Sequence, residues 1–257
     1  MNEPQTTFER LLKIKHDRGA GYLVLVDPDK MVSEQLPSFV HRATEAGVDG
    51  FLVGGSLLHT TEFDEHIKIM KRNTTLPVVI FPGSLMQVSP NADALLFLML
   101  ISGRNAEHLI GNQVIAAPVV KKMGLEAIST GYMIVESDTT TSVEFMSNTK
   151  PIPRSKPDIA LAHALAAEII GMRILYLDAG SGANQSVPDD MIALLTQRCS
   201  LPLIVGGGIR RPEEARRKVE AGASFVVTGT INEEQSHPSL MKEFANAVHL
   251  GSKVNVR

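Results

Sequence analysis

A (β/α)8 barrel, the TIM barrel, is the fold class this sequence predicts, and three observations predict it. Eight short apolar runs recur along 257 residues. The runs are continuous rather than alternating, which is the pattern of parallel strands covered on both faces. Helix-length segments separate most of them, and a barrel of eight such units takes about 250 residues. The rival architecture, an open doubly wound sheet, is disfavoured because no GxGxxG follows the first run. With 44% hydrophobic residues, the chain has enough apolar material for a sizeable core and reads as one domain over residues 1–257.

The elements follow in order. Thr7–Lys15 reads as an extra helix ahead of the barrel. Tyr22–Val26 is the first strand, and Ser33–Ala46 the first crossover helix, opened by Ser33 as cap and stopped at Gly47. Gly50–Val53, Val78–Phe81 and Ala94–Leu98 are strands two to four. Only Pro82–Asp93 joins the last two, and Pro90 breaks it, so the third crossover is expected to be irregular and to lack a full helix. Ala127–Val135 is the fifth strand. "SNTKPIPRSKPD", Ser147–Asp158, is helix-poor and rich in proline and lysine, either a lid over the barrel mouth or an ordinary surface loop. Ile174–Leu177, Leu203–Val205 and Phe225–Val227 complete the barrel. Pro188 and Asp189 open one helix reaching Arg198, and Pro212 opens another ending near Gly222.

Charge and composition exclude several function classes. Twenty-five Lys and Arg stand against 28 Asp and Glu, so no face is forced to be basic and nucleic acid is not an expected partner. A single cysteine, Cys199, forms no internal disulfide and fits a reducing compartment. The amino terminus lacks the apolar core of a signal peptide. The longest apolar run, from Ala94 into Ile101, is too short for a bilayer, which takes about 20 residues. A cytoplasmic enzyme is the expectation.

In a barrel the functional face is the carboxyl end of the strands. Three late strands end in small residues there: "YLDAGSG" (Tyr176–Gly182), "VGGGIR" (Val205–Arg210) and "VTGT" (Val227–Thr230). Glycine lets backbone N–H groups converge on an anion because no Cβ intervenes. One such cluster is an ordinary turn; three at strand ends point to a phosphate, with Ser181 and Thr230 as hydroxyl donors. Arg210 and Arg211 are further candidates, unless they face solvent. On the first half of the face, Asp27 follows strand one and Ser56 follows strand two. A carboxylate and a hydroxyl on neighbouring strand ends suit one Mg²⁺ whose other positions go to water and substrate phosphates. Zinc is disfavoured, since no His/Cys cluster has ligand spacing. His41, His59, His66, His108 and His163 read as surface or capping residues. Lys30 pairs either with a diphosphate or with Asp29. Asp178 accepts a proton from a substrate hydroxyl, orients that hydroxyl, or caps a turn. Met99, Met123, Tyr132 and Met133 line an apolar groove or pack the core. Glu136 stands at the mouth or on the surface.

"DPDK", "VGGS", "SGRN", "STGYMIVE", "YLDAGSG", "VGGGIR" and "VTGT", in that order, resemble the geranylgeranylglyceryl phosphate synthases and their heptaprenylglyceryl phosphate relatives. The forms of the first and fifth motifs resemble the second group of that family. The resemblance covers essentially the whole chain. It implies a prenyltransferase that joins sn-glycerol 1-phosphate to a polyprenyl diphosphate, releasing diphosphate and forming the ether of an ether lipid. A twenty-carbon chain, geranylgeranyl, is the default. By motif match it implies Mg²⁺ at Asp27 and Ser56. It implies glycerol phosphate along Tyr176, Leu177, Asp178, Ala179, Gly180, Ser181 and Gly182, at Gly207 and Gly208, and at Gly229 and Thr230. It also implies a homo-oligomer, dimer or hexamer, and peripheral contact with a membrane for product release. Two positions depart from the family: Asp178 stands where glutamate is frequent, and Thr230 where asparagine is. Asp178 and Lys30 are the catalytic candidates. The loop from Lys150 to Lys156 is expected to keep water from the reacting carbon. Other readings of the residues are a sugar-phosphate isomerase or aldolase on the same barrel, or a phosphate-binding scaffold without turnover.

Overall fold

The computed structural model describes residues 5–229 and 238–251. Eight parallel strands close into a barrel in sequence order, β1 (Gly21–Val26), β2 (Gly50–Val53), β3 (Val78–Ile80), β4 (Ala94–Leu100), β5 (Glu126–Ile134), β6 (Ile174–Asp178), β7 (Leu203–Gly206) and β8 (Phe225–Thr228). The ring closes where β1 pairs with β8, Gly21 beside Phe225 and Val24 beside Thr228. Around it lie α2 (Leu36–Glu45), α3 (Phe63–Asn73), α4 (Asn112–Met123), α5 (Ser142–Ser147), α6 (Pro157–Ile170), α7 (Asp189–Arg198), α8 (Pro212–Glu220) and α9 (Pro238–Gly251), after α1 (Thr7–Arg18).

Strand residues split between two apolar layers. Leu23, Leu52, Leu96, Ile204, Phe225 and Val227 fill the barrel interior. Val24, Phe51, Leu177 and Val205 face the helices. With both sides buried, neither side can be polar, which is why the runs are continuous. The extra helix α1 belongs to the barrel's packing, because its Phe8 and Leu11 join the interior layer. A reciprocal Thr6–Glu9 capping box starts it. The Glu126 carboxylate accepts from the Thr7 and Phe8 amides at 2.6 and 3.3 Å.

One expectation is corrected and two open alternatives are decided. The first crossover helix begins at Leu36, not Ser33, with a proline in its first turn; the Ser33 hydroxyl donates instead to Glu62, 3.1 Å away. The Ser147–Asp158 stretch is no free lid. Ile152 is buried and bridges Val135, donating to Ile134 O at 2.8 Å and accepting from Glu136 N at 3.0 Å. Arg154 ties the loop to the Glu136 and Ser186 carbonyls at 3.2 and 2.8 Å. Of the groove and core readings of the methionines, the core one holds: Met133, fully buried, and Met99 and Met123, partly buried, pack in the helix-facing layer.

The third crossover, residues 81–93, contains no helix, as the sequence predicts. Side chains take over the hydrogen bonding. Asp64 of α3 accepts from the Ser89 hydroxyl at 2.5 Å and from the Asn91 amide at 2.8 Å. Asp93 accepts from Lys71 of α3 at 2.6 Å and from the Val78 amide at 2.8 Å.

Candidate active site at the carboxyl ends of the strands

A cavity of about 930 Å³ opens at the carboxyl ends of the strands. It brings together the residues predicted from both halves of the chain. Asp27, Lys30 and Ser56 line one part; Asp178, Gly180, Ser181, Gly182, Gly207, Gly208 and Gly229 line another. Leu25, Phe81, Leu96, Leu98 and Val227 supply its apolar wall.

The three charges of "DPDK" separate into two roles. Asp27 accepts from the Asp29 amide at 3.1 Å, and its other oxygen lies 3.3 Å from the Lys30 ammonium. Asp29 turns away and accepts from the His59 and Thr60 amides at 2.8 and 2.7 Å, tying down the loop after β2. Lys30 therefore pairs with Asp27, not with Asp29. Gly55 lets that loop approach: a Cβ there would lie 3.3 Å from the Asp27 carboxylate. Among the described residues no cluster of three or more His, Cys, Asp or Glu side chains has metal-binding geometry.

The late half is a nest of glycine backbone. Gly180, Gly182, Gly207 and Gly208 all have positive φ, from +68° to +92°. A Cβ on Gly207 would stand 2.5 Å from the Gly180 nitrogen and 2.7 Å from the Ala179 nitrogen. One on Gly208 would stand 2.7 Å from the Gln185 carbonyl. The loops after β6 and β7 thus pack backbone to backbone. Within Tyr176–Gly182, the Leu177 and Ala179 side chains are fully buried toward the helices, so only their backbone is available to a ligand. Arg210 and Arg211 stand at the rim, and Arg210 donates to the Ala183 carbonyl at 3.2 Å. Thr230 lies outside the described residues.

Asp178 ends β6 and points inward, buried. The Tyr132 hydroxyl donates to it at 2.6 Å and the Gly180 amide at 2.7 Å. Burial pushes its carboxyl above the usual carboxylate range, and these two hydrogen bonds oppose that rise. Burial, reinforced by the Asp178 charge, pushes both the Tyr132 and Tyr176 hydroxyls well above the usual phenol value. Phe81 stacks on Tyr176 at 4.8 Å, and Tyr132 meets both rings edge-on at 5.7 and 5.6 Å. The polar role of Tyr132 had no sequence signal beyond its place in an apolar strand. Ser142, Val143 and Met146 of α5 line the cavity, unlike the Lys150–Lys156 loop expected there. His108 lines it as well; His66 is buried with its ring nitrogens 2.9 Å from the Glu62 and Met31 carbonyls. Glu136 is exposed, and its carbonyl serves Arg154.

Residues 12–248 match the PcrB family. A geranylgeranylglyceryl phosphate synthase of Chitinophaga pinensis is 46% identical over 234 residues, 91% of this chain and 92% of that one. One from Methanothermobacter marburgensis is 44% identical over 216 residues, 84% and 87% of the two chains. The crystal structure of (S)-3-O-geranylgeranylglyceryl phosphate synthase from Thermoplasma acidophilum, in complex with sn-glycerol-1-phosphate, superposes with a TM-score of 0.91 at 34% identity, covering 96% of this chain and all of that one.

Proposed function

The chain belongs to the PcrB family, and on that premise we propose that it joins geranylgeranyl diphosphate to the 3-hydroxyl of sn-glycerol 1-phosphate, giving geranylgeranylglyceryl phosphate and diphosphate. The observation that carries the reading is one cavity with three chemistries. A glycine nest suits a phosphate, Asp27, Ser56 and Lys30 suit a metal-bound diphosphate, and an apolar wall suits a hydrocarbon chain.

In this reading the phosphate of glycerol phosphate lies on the backbone amides after β6, β7 and β8, with Ser181 as hydroxyl donor. Backbone from Tyr176 to Gly182, Gly207, Gly208 and Gly229 forms the cradle. The glycerol 3-hydroxyl then faces Asp178. As the hydroxyl oxygen bonds to C1 of the prenyl chain, the C1–diphosphate bond breaks, and Asp178 takes the hydroxyl proton. A carboxyl raised by burial is a better match for that proton transfer near neutral pH than a solvent-exposed one. Its two existing hydrogen bonds leave a lone pair on each oxygen for the substrate. Aspartate is one methylene shorter than the frequent glutamate, and Tyr132 fixes where its carboxylate ends.

Asp27 and Ser56 are hard oxygen donors on adjacent strand ends, a set that fits Mg²⁺. With one protein carboxylate they would hold it weakly without a diphosphate to supply further oxygens. A bound Mg²⁺ supplies positive charge to the leaving diphosphate. Lys30 adds charge on the same side, 3.3 Å from Asp27. The apolar wall grips the chain at about 0.8 kcal/mol per buried CH₂. An isomerase needs no such wall, and a Schiff-base aldolase wants a strand lysine, which none of the eight strands carries.

The same reading carries a homo-oligomer, dimer or hexamer, for which the exposed Ile110, Val114, Ile115 and Val119 offer a contact face; light scattering gives the count. It also carries peripheral membrane contact, supported by exposed Leu57, Met86, Phe145 and Met146 at the cavity end; vesicle flotation tests it.

The deciding experiment offers labelled sn-glycerol 1-phosphate and Mg²⁺ with geranyl, farnesyl, geranylgeranyl and longer prenyl diphosphates in parallel. An organic-extractable labelled product, best with geranylgeranyl diphosphate, is expected. Tight glycerol phosphate binding without product from any of them returns the scaffold reading.

A further inference from the structure

Gln87 is a polar side chain with no exposed surface, in the middle of the helix-free third crossover. Among the described residues, its side-chain hydrogen bonds all go to glycine backbone. Its Oε1 accepts from Gly55 N at 3.2 Å and from Gly83 N at 3.1 Å, and its Nε2 donates to Gly55 O at 2.7 Å. Two N–H groups on one atom fix the amide orientation, since a flipped amide would oppose donors to donors. Gln87 thus reads both the N–H and the C=O of Gly55, as a neighbouring strand would.

The backbones it joins are in closest contact. A Cβ on Gly83 would lie 2.1 Å from the Gly55 carbonyl, and one on Gly54 would lie 1.9 Å from the Phe81 carbonyl. Gly55 in turn sits under the Asp27 carboxylate and directly precedes Ser56. The loop after β2 is therefore held from two sides, by Asp29 through His59 and Thr60 and by Gln87 through Gly55. Gln87 itself is fully buried, while the Gly55 and Gly83 groups it holds lie at the cavity wall; without its amide they lose the contacts that fix the loop after β2 against the third crossover.

We propose that Gln87 is a positioning residue for the metal and diphosphate half of the site, setting where Ser56 stands relative to Asp27. This rests on the prenyltransferase reading. Its partners Gly55 and Gly83 belong to the loops after β2 and β3, whereas the glycine nest belongs to those after β6 and β7, so its effect is expected on one substrate more than the other.

The test compares the full-length protein with Q87E and Q87M. In Q87E one oxygen still accepts from Gly55 and Gly83, but the other faces the Gly55 carbonyl as an acceptor. Mn²⁺ affinity in the presence of inorganic diphosphate is read by electron paramagnetic resonance. Glycerol phosphate affinity is read by calorimetry, and amide exchange over residues 53–58 by mass spectrometry. Groups that orient metal ligands from behind typically account for about 10–100-fold in affinity. A loss of about 10-fold or more in Mn²⁺–diphosphate affinity is expected in both variants. Exchange should be faster over 53–58 and glycerol phosphate affinity unchanged within about 2-fold. Wild-type Mn²⁺–diphosphate affinity in a folded variant overturns the proposal while leaving the function intact. Equal loss of both ligands overturns it too, as a general loosening of the barrel. If one variant fails to fold, the other carries the comparison. A wild-type protein that binds no Mn²⁺–diphosphate overturns the functional reading itself.

Discussion

Gly207→Ala is the sharpest probe of the glycine nest as the proposed phosphate site. The new Cβ would stand 2.5 Å from the Gly180 nitrogen, where ordinary contact begins at 3.4 Å, so the loops must part by about 0.9 Å (3.4 − 2.5). The atoms it meets are backbone, Gly180 N and Ala179 N, with the Asp178 carboxylate at 2.7 Å, so no flexible side chain can swing away. The φ of +80° adds a strain of about 1–2 kcal/mol for a residue with a Cβ. A displacement near 1 Å in a substrate-holding element can reduce turnover by about 100-fold. Steady-state kinetics in both substrates should therefore show kcat/KM for glycerol phosphate down by about 100-fold, equivalent to about 2.7 kcal/mol. KM for the prenyl diphosphate should stay near wild type. Gly171→Ala, at the carboxyl end of α6 and outside the cavity, is the control. Its φ is +88°, but a Cβ there would meet nothing within 4 Å. It bears the strain without the clash and should lose stability with at most a few-fold change in kinetics. Equal kinetic loss in the two variants, or a wild-type glycerol phosphate KM in G207A, would refute close backbone approach as the basis of phosphate binding.

Two further outcomes follow from ionisation. Y132F removes the 2.6 Å hydrogen bond that favours ionised Asp178, so the carboxyl moves higher still; Asp178 accepts a proton only when ionised, and the acidic limb of the kcat/KM profile should move to higher pH, whereas an unmoved limb means another group sets it. Asp64, hydrogen-bonded first by Lys68 and then by Ser89, has its carboxyl lowered to about 2 from 3.8. The depressed value stabilises the fold above the unfolded carboxyl's pKa and is lost as pH falls through 2. The 1.8-unit difference (3.8 − 2) amounts to about 2.4 kcal/mol before screening, and a side chain 45% exposed leaves about 1 kcal/mol. Denaturant titrations should find D64N less stable by about that amount at pH 7, with the gap closing between pH 4 and 2; a gap constant with pH would assign the loss to packing.

What the sequence disclosed and what it hid have one physical cause. Strands buried on both faces show as continuous apolar runs, so all eight were legible, and so were the glycines and acids at their ends. The same continuity hides which side chain faces in. Tyr132 and Met133 are neighbours of similar character, yet one donates to Asp178 and the other packs under helices. Leu177 and Ala179 lie within a predicted binding motif but turn outward for the same reason of alternation. Strand ends also escaped: β4 continues to Leu100 because β5 pairs with it through Tyr132, a fact of the partner rather than of the run. The Ser147–Asp158 loop looked free because nothing local announces that Ile152 pairs with Val135. Gln87 was invisible for a similar reason, its partner Gly55 lying 32 residues away.

The irregular crossover unites these observations. A regular helix after β3 would pack beside β4; without one, Phe97 and Met99 on the outer side of β4 stay only half-buried. Leu85, Val88 and Phe97 then line the same cavity as Asp27 and Gly207. The missing helix therefore widens the apolar part of the cavity, where a long chain needs room. It also removes the backbone hydrogen bonds that would have held the segment. Asp64, Asp93 and Gln87 replace them with side-chain bonds, and of these only Gln87 reaches the loop that carries Ser56. The departure from a regular barrel that makes room for a hydrocarbon thus also fixes the polar group its diphosphate end would meet. On the proposed function, room for the prenyl chain and the placement of Ser56 would both depend on the same thirteen-residue stretch, 81–93.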